Sequence, residues 1–331
     1  MKEKTNALKE LMKRGEVTVI LAVLILAVIF TIGSDSFLNA YNLFNVSRTA
    51  AIYIFIALGQ AMVVIVGGMN LSLGYIGGLT VVIAGFCMEK LHLHPFAAIA
   101  AGLAVGILAG FINGIIITAL KLNSFVVTLA TSFIFQGLIN GISEGYPYTD
   151  IPSGFQNLGR SSILGIPGLL FLAVLVLAVL AYFFRFTVSG RKYLAAGGSI
   201  EAAKMSGINT NRMIVLANVL SGFFAAMAAL IWISRTGSAQ PSTGGDWMIT
   251  SFAVAVIGGT LLKGGVFNAV GIFFAGFLLV MVKNGLVMLN SNIYFEQTYL
   301  GLILLLAVSL ESIRSIMDRR KLKRLLKKQA Q

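Results

Sequence analysis

Pro95-Phe-Ala-Ala-Ile-Ala-Ala-Gly-Leu-Ala-Val-Gly-Ile-Leu-Ala-Gly-Phe-Ile-Asn-Gly-Ile-Ile-Ile-Thr-Ala119 decides what kind of molecule this chain makes. The run has no charged side chain and exceeds the ~20 residues a helix needs to cross roughly 30 Å of hydrocarbon. Gly102, Gly106, Gly110 and Gly114 recur at every fourth position, so they stack on one side of that helix. This is the small-xxx-small pattern that lets two transmembrane backbones approach closely. Gly74 and Gly78 repeat it in another segment. Packing within one subunit and a subunit-subunit or pore-lining role both fit the stripe.

The rest of the chain agrees. Of its 331 residues, 57% are hydrophobic and 11% charged, and the mean hydropathy is +0.90. No water-soluble domain of this length is expected to carry such values. Ten candidate spans can be drawn, at residues 17–32, 46–66, 71–88, 95–119, 124–142, 163–184, 213–233, 248–262, 265–289 and 297–313. The expected fold is therefore all-α, a polytopic membrane helical bundle. Span eight is short and broken by glycine, which reads as a half-helix or re-entrant segment. The basic N-terminus followed by Val17 to Ile32 has no convincing cleavage site and reads as an uncleaved first span. One transmembrane domain, 17–313, is expected between a cytosolic segment 1–16 and a basic cytosolic tail 314–331. Cys87 is the sole cysteine, which excludes an internal disulfide and a thiolate metal cluster.

A net charge of +13 would suit nucleic acid, but the cations sit at the two ends and in polar joints. With the N-terminus in the cytosol, 20 of the 25 Lys and Arg fall inside, as the positive-inside rule requires. An even span count places both termini there. Trp232, Trp247, Tyr146 and Tyr148 then fall near outer boundaries and read as an interfacial aromatic belt. The longest outer loop, 143–162, reads either as a docking surface or as an interfacial cap. The cytosolic stretch 185–212 holds two short Gly-bounded helical fragments, Arg191 to Ala196 and Ile200 to Ser206. Ser199 is a good N-cap for the second, Glu201 suits its first turn, and Gly207 supplies a left-handed stop. So short a helix is marginal in water and predicts a partner that completes it. Val256-Ile-Gly-Gly-Thr-Leu-Leu-Lys-Gly-Gly265 fails as a phosphate loop, because Lys263 precedes Gly264 and no hydroxyl follows. The chain is therefore expected to lack its own nucleotide site, so that any ATP it uses is hydrolysed elsewhere.

Four blocks then converge. Gly67-Gly-Met-Asn-Leu-Ser-Leu-Gly74, Asn123-Ser-Phe-Val-Val-Thr-Leu-Ala-Thr131, Gly198-Ser-Ile-Glu-Ala-Ala-Lys-Met-Ser-Gly207, and Val256 to Gly265 with Asn284-Gly285-Leu286 occur in this order. Together they resemble the membrane-spanning permease subunit of ATP-binding-cassette importers of the ribose and galactose type. Asn70 stands where that family usually has Asp, and Ser124 where it usually has Pro. The resemblance implies two permease subunits around a central path, an ABC ATPase on the cytosolic face that uses ATP and Mg, and an extracytoplasmic solute-binding protein. It implies no cofactor bound by this chain, no nucleic acid, and a place in the bacterial cytoplasmic membrane. A simple sugar or a sugar-derived solute would be the cargo.

The coupling candidates are Arg191, Lys192, Ser199, Glu201, Ala202, Ala203 and Gly207. Glu201 reads as a salt-bridging contact or as a first-turn acid of its own helix; Arg191 and Lys192 read as interface cations or as positive-inside residues. Asn70, Ser72, Thr128, Thr131 and Asn284 are candidates for the path or its gate, with helix capping the plainer role for Asn70 and Ser72. Lys283 is expected to snorkel at the outer interface. Glu89, His92 and His94 lack a fourth ligand, so no metal site is expected. No catalytic constellation appears and no enzyme is expected. An ion-gradient-driven secondary transporter is the competing reading; it would usually place ionisable residues deep in the spans, where this chain has almost none.

Overall fold

The computed structural model describes residues 15–289, apart from 262, and scattered residues between 292 and 309. The segment 1–14, the tail 314–331 and most of the expected span 297–313 lie outside the described residues. Twelve helices are used below. They are α1 (Gly15–Gly33), α2 (Ala40–Ile65), α3 (Leu73–Glu89), α4 (Pro95–Ala119), α5 (Ser124–Ser143), α6 (Ser153–Arg160), α7 (Gly168–Phe186), α8 (Val188–Gly198), α9 (Ile200–Met205), α10 (Thr210–Thr236), α11 (Trp247–Ile257) and α12 (Ala269–Met288). A two-stranded hairpin, β1 (Ser162–Ile163) with β2 (Ile166–Pro167), precedes α7. Seven of the helices are long and apolar enough to cross a membrane, and α3 and α11 are shorter apolar helices. The molecule is a polytopic helical bundle.

Helix boundaries follow local chemistry. Asn39, Asn123, Asn209 and Asn268 each accept a backbone N–H of the helix they precede, so α2 and α10 begin earlier than apolar runs alone indicate. The expected span 163–184 begins instead as the β1–β2 hairpin, with helix only from Gly168. Leu164 and Gly165 both have positive φ at its tip, the geometry of a two-residue hairpin turn.

Helix α2 is the axis of the bundle. Every residue from 50 to 66 is buried, with α10, α11, α12 and α7 packed around it. Lipid tails are as apolar as leucine, so this arrangement is held by close packing and polar contacts rather than by expulsion of water. The glycine stripe of α4 supplies the closest packing. A Cβ at Gly106 would meet Ala226 Cβ at 2.5 Å and the Gly222 carbonyl, and one at Gly110 would meet the backbone of Asn218 and Val219. Helices α4 and α10 thus touch backbone to backbone within one chain. The opposite face of α4, with Leu108, Phe111 and Ile112, is exposed.

Two crossings are broken. Between α2 and α3 the chain is unwound over 66–72; before α11 the segment 239–246 lies along α3, from Ala239 against Gly85 to Gly244 against Gly74. Helix α11, 11 residues and so roughly 16 Å long, supplies only half a crossing, and a run of turns over 241–246 supplies the rest. This arrangement revises three expectations. Trp247 is 2% exposed and packs on Gly77, and Tyr148 is held inside by its bridge to Ala239, so neither belongs to an interfacial belt. Lys283 does not snorkel freely. Its Nζ donates to Asp246 Oδ2 at 3.1 Å and to the Tyr53 hydroxyl at 2.9 Å, because a partly buried ammonium needs a counter-charge. In the 143–162 loop, α6 tucks Phe155 inward and sets Gly159 against Ser234 of α10.

Candidate coupling and translocation site

The stretch after α7 folds into two helices, α8 and α9. Ser199 Oγ accepts the Ala202 N–H at 3.3 Å and caps α9, and Glu201 lies in its first turn. Gly207 has φ +75°; its N–H donates to Lys204 O and the Ile208 N–H to Ala203 O. These paired bonds close the helix in a Schellman motif, with glycine in the left-handed position. Ala203 faces inward, while Glu201, Ala202, Lys204 and Ile200 are exposed and Met205 is 90% exposed. Arg191 and Lys192 are exposed on α8, and Arg191 Nη1 reaches Phe186 O at 3.4 Å.

What fixes this pair of helices to the bundle is a residue the sequence reading passed over. Tyr193, fully buried on α8, donates its hydroxyl to Met62 O of α2 at 2.8 Å and meets Phe184 edge-on. Burial pushes its hydroxyl well above the usual tyrosine value, so it remains a donor. One turn further, Gly197 rests on the Ile65 carbonyl with no room for a Cβ. The same carbonyl accepts the Gly265 N–H at 2.8 Å. The end of α2, the α8–α9 unit and the 258–265 loop therefore meet at one oxygen. An aromatic within a Gly-bounded basic segment was the available signal for Tyr193.

Asn70, Ser72 and Thr128 are brought together in a buried polar knot. Asn70 Oδ1 accepts the Ser72 N–H and hydroxyl, while Asn70 Nδ2 donates to Ser221 Oγ of α10 at 2.8 Å. Asn113 of α4 donates to Ser72 Oγ at 2.8 Å. Thr128 Oγ1 accepts the Leu71 N–H at 3.1 Å, and Ser124 Oγ accepts the Met69 N–H at 3.0 Å. Irregular backbone within a membrane protein needs such partners, and here α4, α5 and α10 supply them. Both departures from the family pattern, Asn70 and Ser124, belong to this one knot. Thr131 is buried one turn beyond Thr128 and bonds back to its carbonyl at 3.3 Å. Asn284 lies elsewhere, in a reciprocal amide pair with Asn42, at 3.0 and 2.8 Å, that ties α12 to α2. Towards the other end of α3, Glu89 accepts the Thr149 and Asp150 N–H groups at 2.7 and 3.0 Å, while His94 Nδ1 caps α4.

The chain belongs to the family described as branched-chain amino acid transport system / permease component, whose model matches residues 42–308. It is 36% identical to a ribose import permease protein, RbsC, of Bacillus subtilis, over 89% of this chain and 92% of that one. The RbsC of Haemophilus influenzae is 32% identical over 87% and 90%. An autoinducer 2 import system permease protein, LsrC, of Escherichia coli O157:H7 is 28% identical over 90% and 87%. No solved structure matches. The chain is a multi-pass inner-membrane permease component of a transport system.

Proposed function

We propose that this chain is the translocating subunit of an ABC importer for a simple sugar, ribose- or galactose-like, or for a sugar-derived polar solute. Its topology would be ten spans, including the half-helical eighth, with both termini cytosolic. The loop 185–212 would be the coupling element and 314–331 a basic tail. The full-length relatives named for ribose and autoinducer 2 import support the cargo class. A partner ATPase would bind and hydrolyse ATP with Mg, a solute-binding protein would deliver the cargo, and a second permease subunit would complete the path.

The observation that carries this reading is the α8–α9 unit, with α9 exposed on its outer face and α8 clamped to α2 through Tyr193 and Gly197. Ile200, Glu201, Ala202, Lys204 and Met205 offer a surface of apolar side chains with one acid and one base, of the kind a groove on a partner would cover. A push on α9 would reach the axial helix through two short contacts, biasing which side of the path is open. Asn70, Ser72 and Thr128 then serve as supports of the unwound segment beside the path.

Glu201→Ala combined with Gly207→Pro tests the coupling, since proline cannot adopt the left-handed φ of Gly207. The protein should still reach the membrane, while co-purification of the cognate ATPase and solute uptake should both fall. Unchanged co-purification and uptake would sink the coupling assignment. Accumulation by the permease alone in proteoliposomes carrying an ion gradient would instead support a secondary transporter.

A further inference from the structure

Between α3, α5 and the turn-rich segment before α11 lies a cavity of about 430 Å³. Its polar walls are Tyr75 of α3, Gln136 and Asn140 of α5, and Gln240, Ser242 and Thr243 of the turn-rich segment. Gln136 and Asn140 are four residues apart and so share one face of α5. Among the described residues none of these six side chains makes a hydrogen bond. Asn140, Gln240 and Ser242 open to solvent, while Thr243 is buried and Tyr75 and Gln136 are half-buried. Amides and hydroxyls not committed to the protein and converging on one space are the groups that fix a ligand's orientation in a pocket of this size.

The chemistry of the lining selects the ligand. An amide side chain offers two donors and an acceptor, and a hydroxyl offers both, which matches neighbouring hydroxyls that each donate and accept. Tyr75 adds an aromatic ring that can pack against an apolar edge. No Lys, Arg, Asp or Glu lines the cavity; of the two acids adjacent in sequence to its lining, Asp246 pairs with Lys283 and Glu144 is exposed. The lining therefore offers hydrogen-bonding partners to hydroxyls and no counter-charge to either end of a zwitterionic amino acid.

We infer that this cavity is a binding station for a neutral polyhydroxylated solute in transit, with Gln136 and Asn140 as its principal hydrogen-bonding residues. The inference rests on the proposed sugar import and adds to it a location, a residue set and a rule of selection: hydroxyl-rich and uncharged, against the amino acid that the family's description names.

The test uses the complete importer, with its ATPase and binding protein, and the probes D-ribose, D-galactose and L-leucine. Gln136→Leu with Asn140→Leu should lower uptake of the transported sugar by about tenfold, the loss of two ordinary hydrogen bonds, with ATPase co-purification unchanged. A fold-independent arm places Asn140→Cys in a Cys87→Ser background. A methanethiosulfonate reagent added to the folded complex should block uptake, a reducing agent should restore it, and sugar should slow the labelling. Undiminished uptake in both the leucine variant and the labelled cysteine variant would overturn the station while leaving sugar import intact. Uptake of L-leucine and of neither sugar by the parent importer would overturn the import proposal itself, and the station with it.

Discussion

Gly110→Ala measures how tightly the α4–α10 seam is set. A methyl built at this position lies 2.8 Å from the Asn218 carbonyl carbon and 3.0 Å from Val219 Cα, whereas carbon atoms rest at about 3.5–4.0 Å. Both obstacles are backbone atoms, so no rotamer change relieves them, and the helices must part by roughly 0.5–1 Å to restore that spacing. Overpacking of this kind costs about 1–3 kcal/mol. Removing a mid-helix glycine returns about 0.5–1 kcal/mol, leaving a net loss of roughly 1–2 kcal/mol. Gly102→Ala is the matched control on the same stripe. Its methyl meets only the tips of Leu230 and Thr80, both at 3.1 Å, which can yield, so its stability should stay within about 0.5 kcal/mol of the parent. Thermal unfolding in detergent, followed by tryptophan fluorescence, should lower Tm by several degrees for Gly110→Ala and barely move it for Gly102→Ala. Equal Tm values for the two variants, or the reverse ranking, would refute the claim that backbone contact sets this seam.

Ser124→Ala removes the acceptor of the half-buried Met69 N–H and should cost about 0.5–1.5 kcal/mol, the net value of an ordinary hydrogen bond. Denaturation in a double-mutant cycle with Asn70→Ala should show non-additivity, since both residues hold one loop. Thr149 and Asp150, with Asp150 the stronger, hold the Glu89 carboxylate below its usual value through their N–H groups. That contribution is fully present above the unfolded value near about 4.3 and is lost as pH falls through the lower folded one. Protection of the 149–150 amides should accordingly fall as pH drops below the usual carboxylate range, and Glu89→Gln should lower it at neutral pH. The Lys283–Asp246 pair is partly open to solvent on the Asp246 side, so a double-mutant cycle on it should give a coupling of about 1 kcal/mol or less; several kcal/mol would mean that the pair is sealed from water.

The helical crossings were legible because an apolar run of fixed length has one economical form in lipid. The α9 unit was legible too, since Ser199, Glu201 and Gly207 each carry a local reason for their place. What escaped were features decided by contact between distant segments. Nothing within 239–246 announces that it runs along α3; Gly74 and Gly244 meet only because both lack a Cβ. Lys283 reads as a surface cation until that segment delivers Asp246 to it. The polar knot was half visible. Asn70, Ser72 and Thr128 stood out by type, while Asn113 and Ser221 sit inside long apolar helices, where one polar residue gives no sign of which way it faces.

The Ile65 carbonyl, roofed by Gly197 and bonded to Gly265, joins three segments with no compressible side chain between them. A joint of that construction has little backlash: displacement of α8 at this contact cannot be absorbed by rotamer rearrangement before it reaches α2. Because α2 is buried from residue 50 onward, that part cannot move without carrying its neighbours. Stroke length at the cytosolic end would then be conserved across the molecule, and a bulkier residue at Gly197 would act as a shim that resets the rest position of the whole machine.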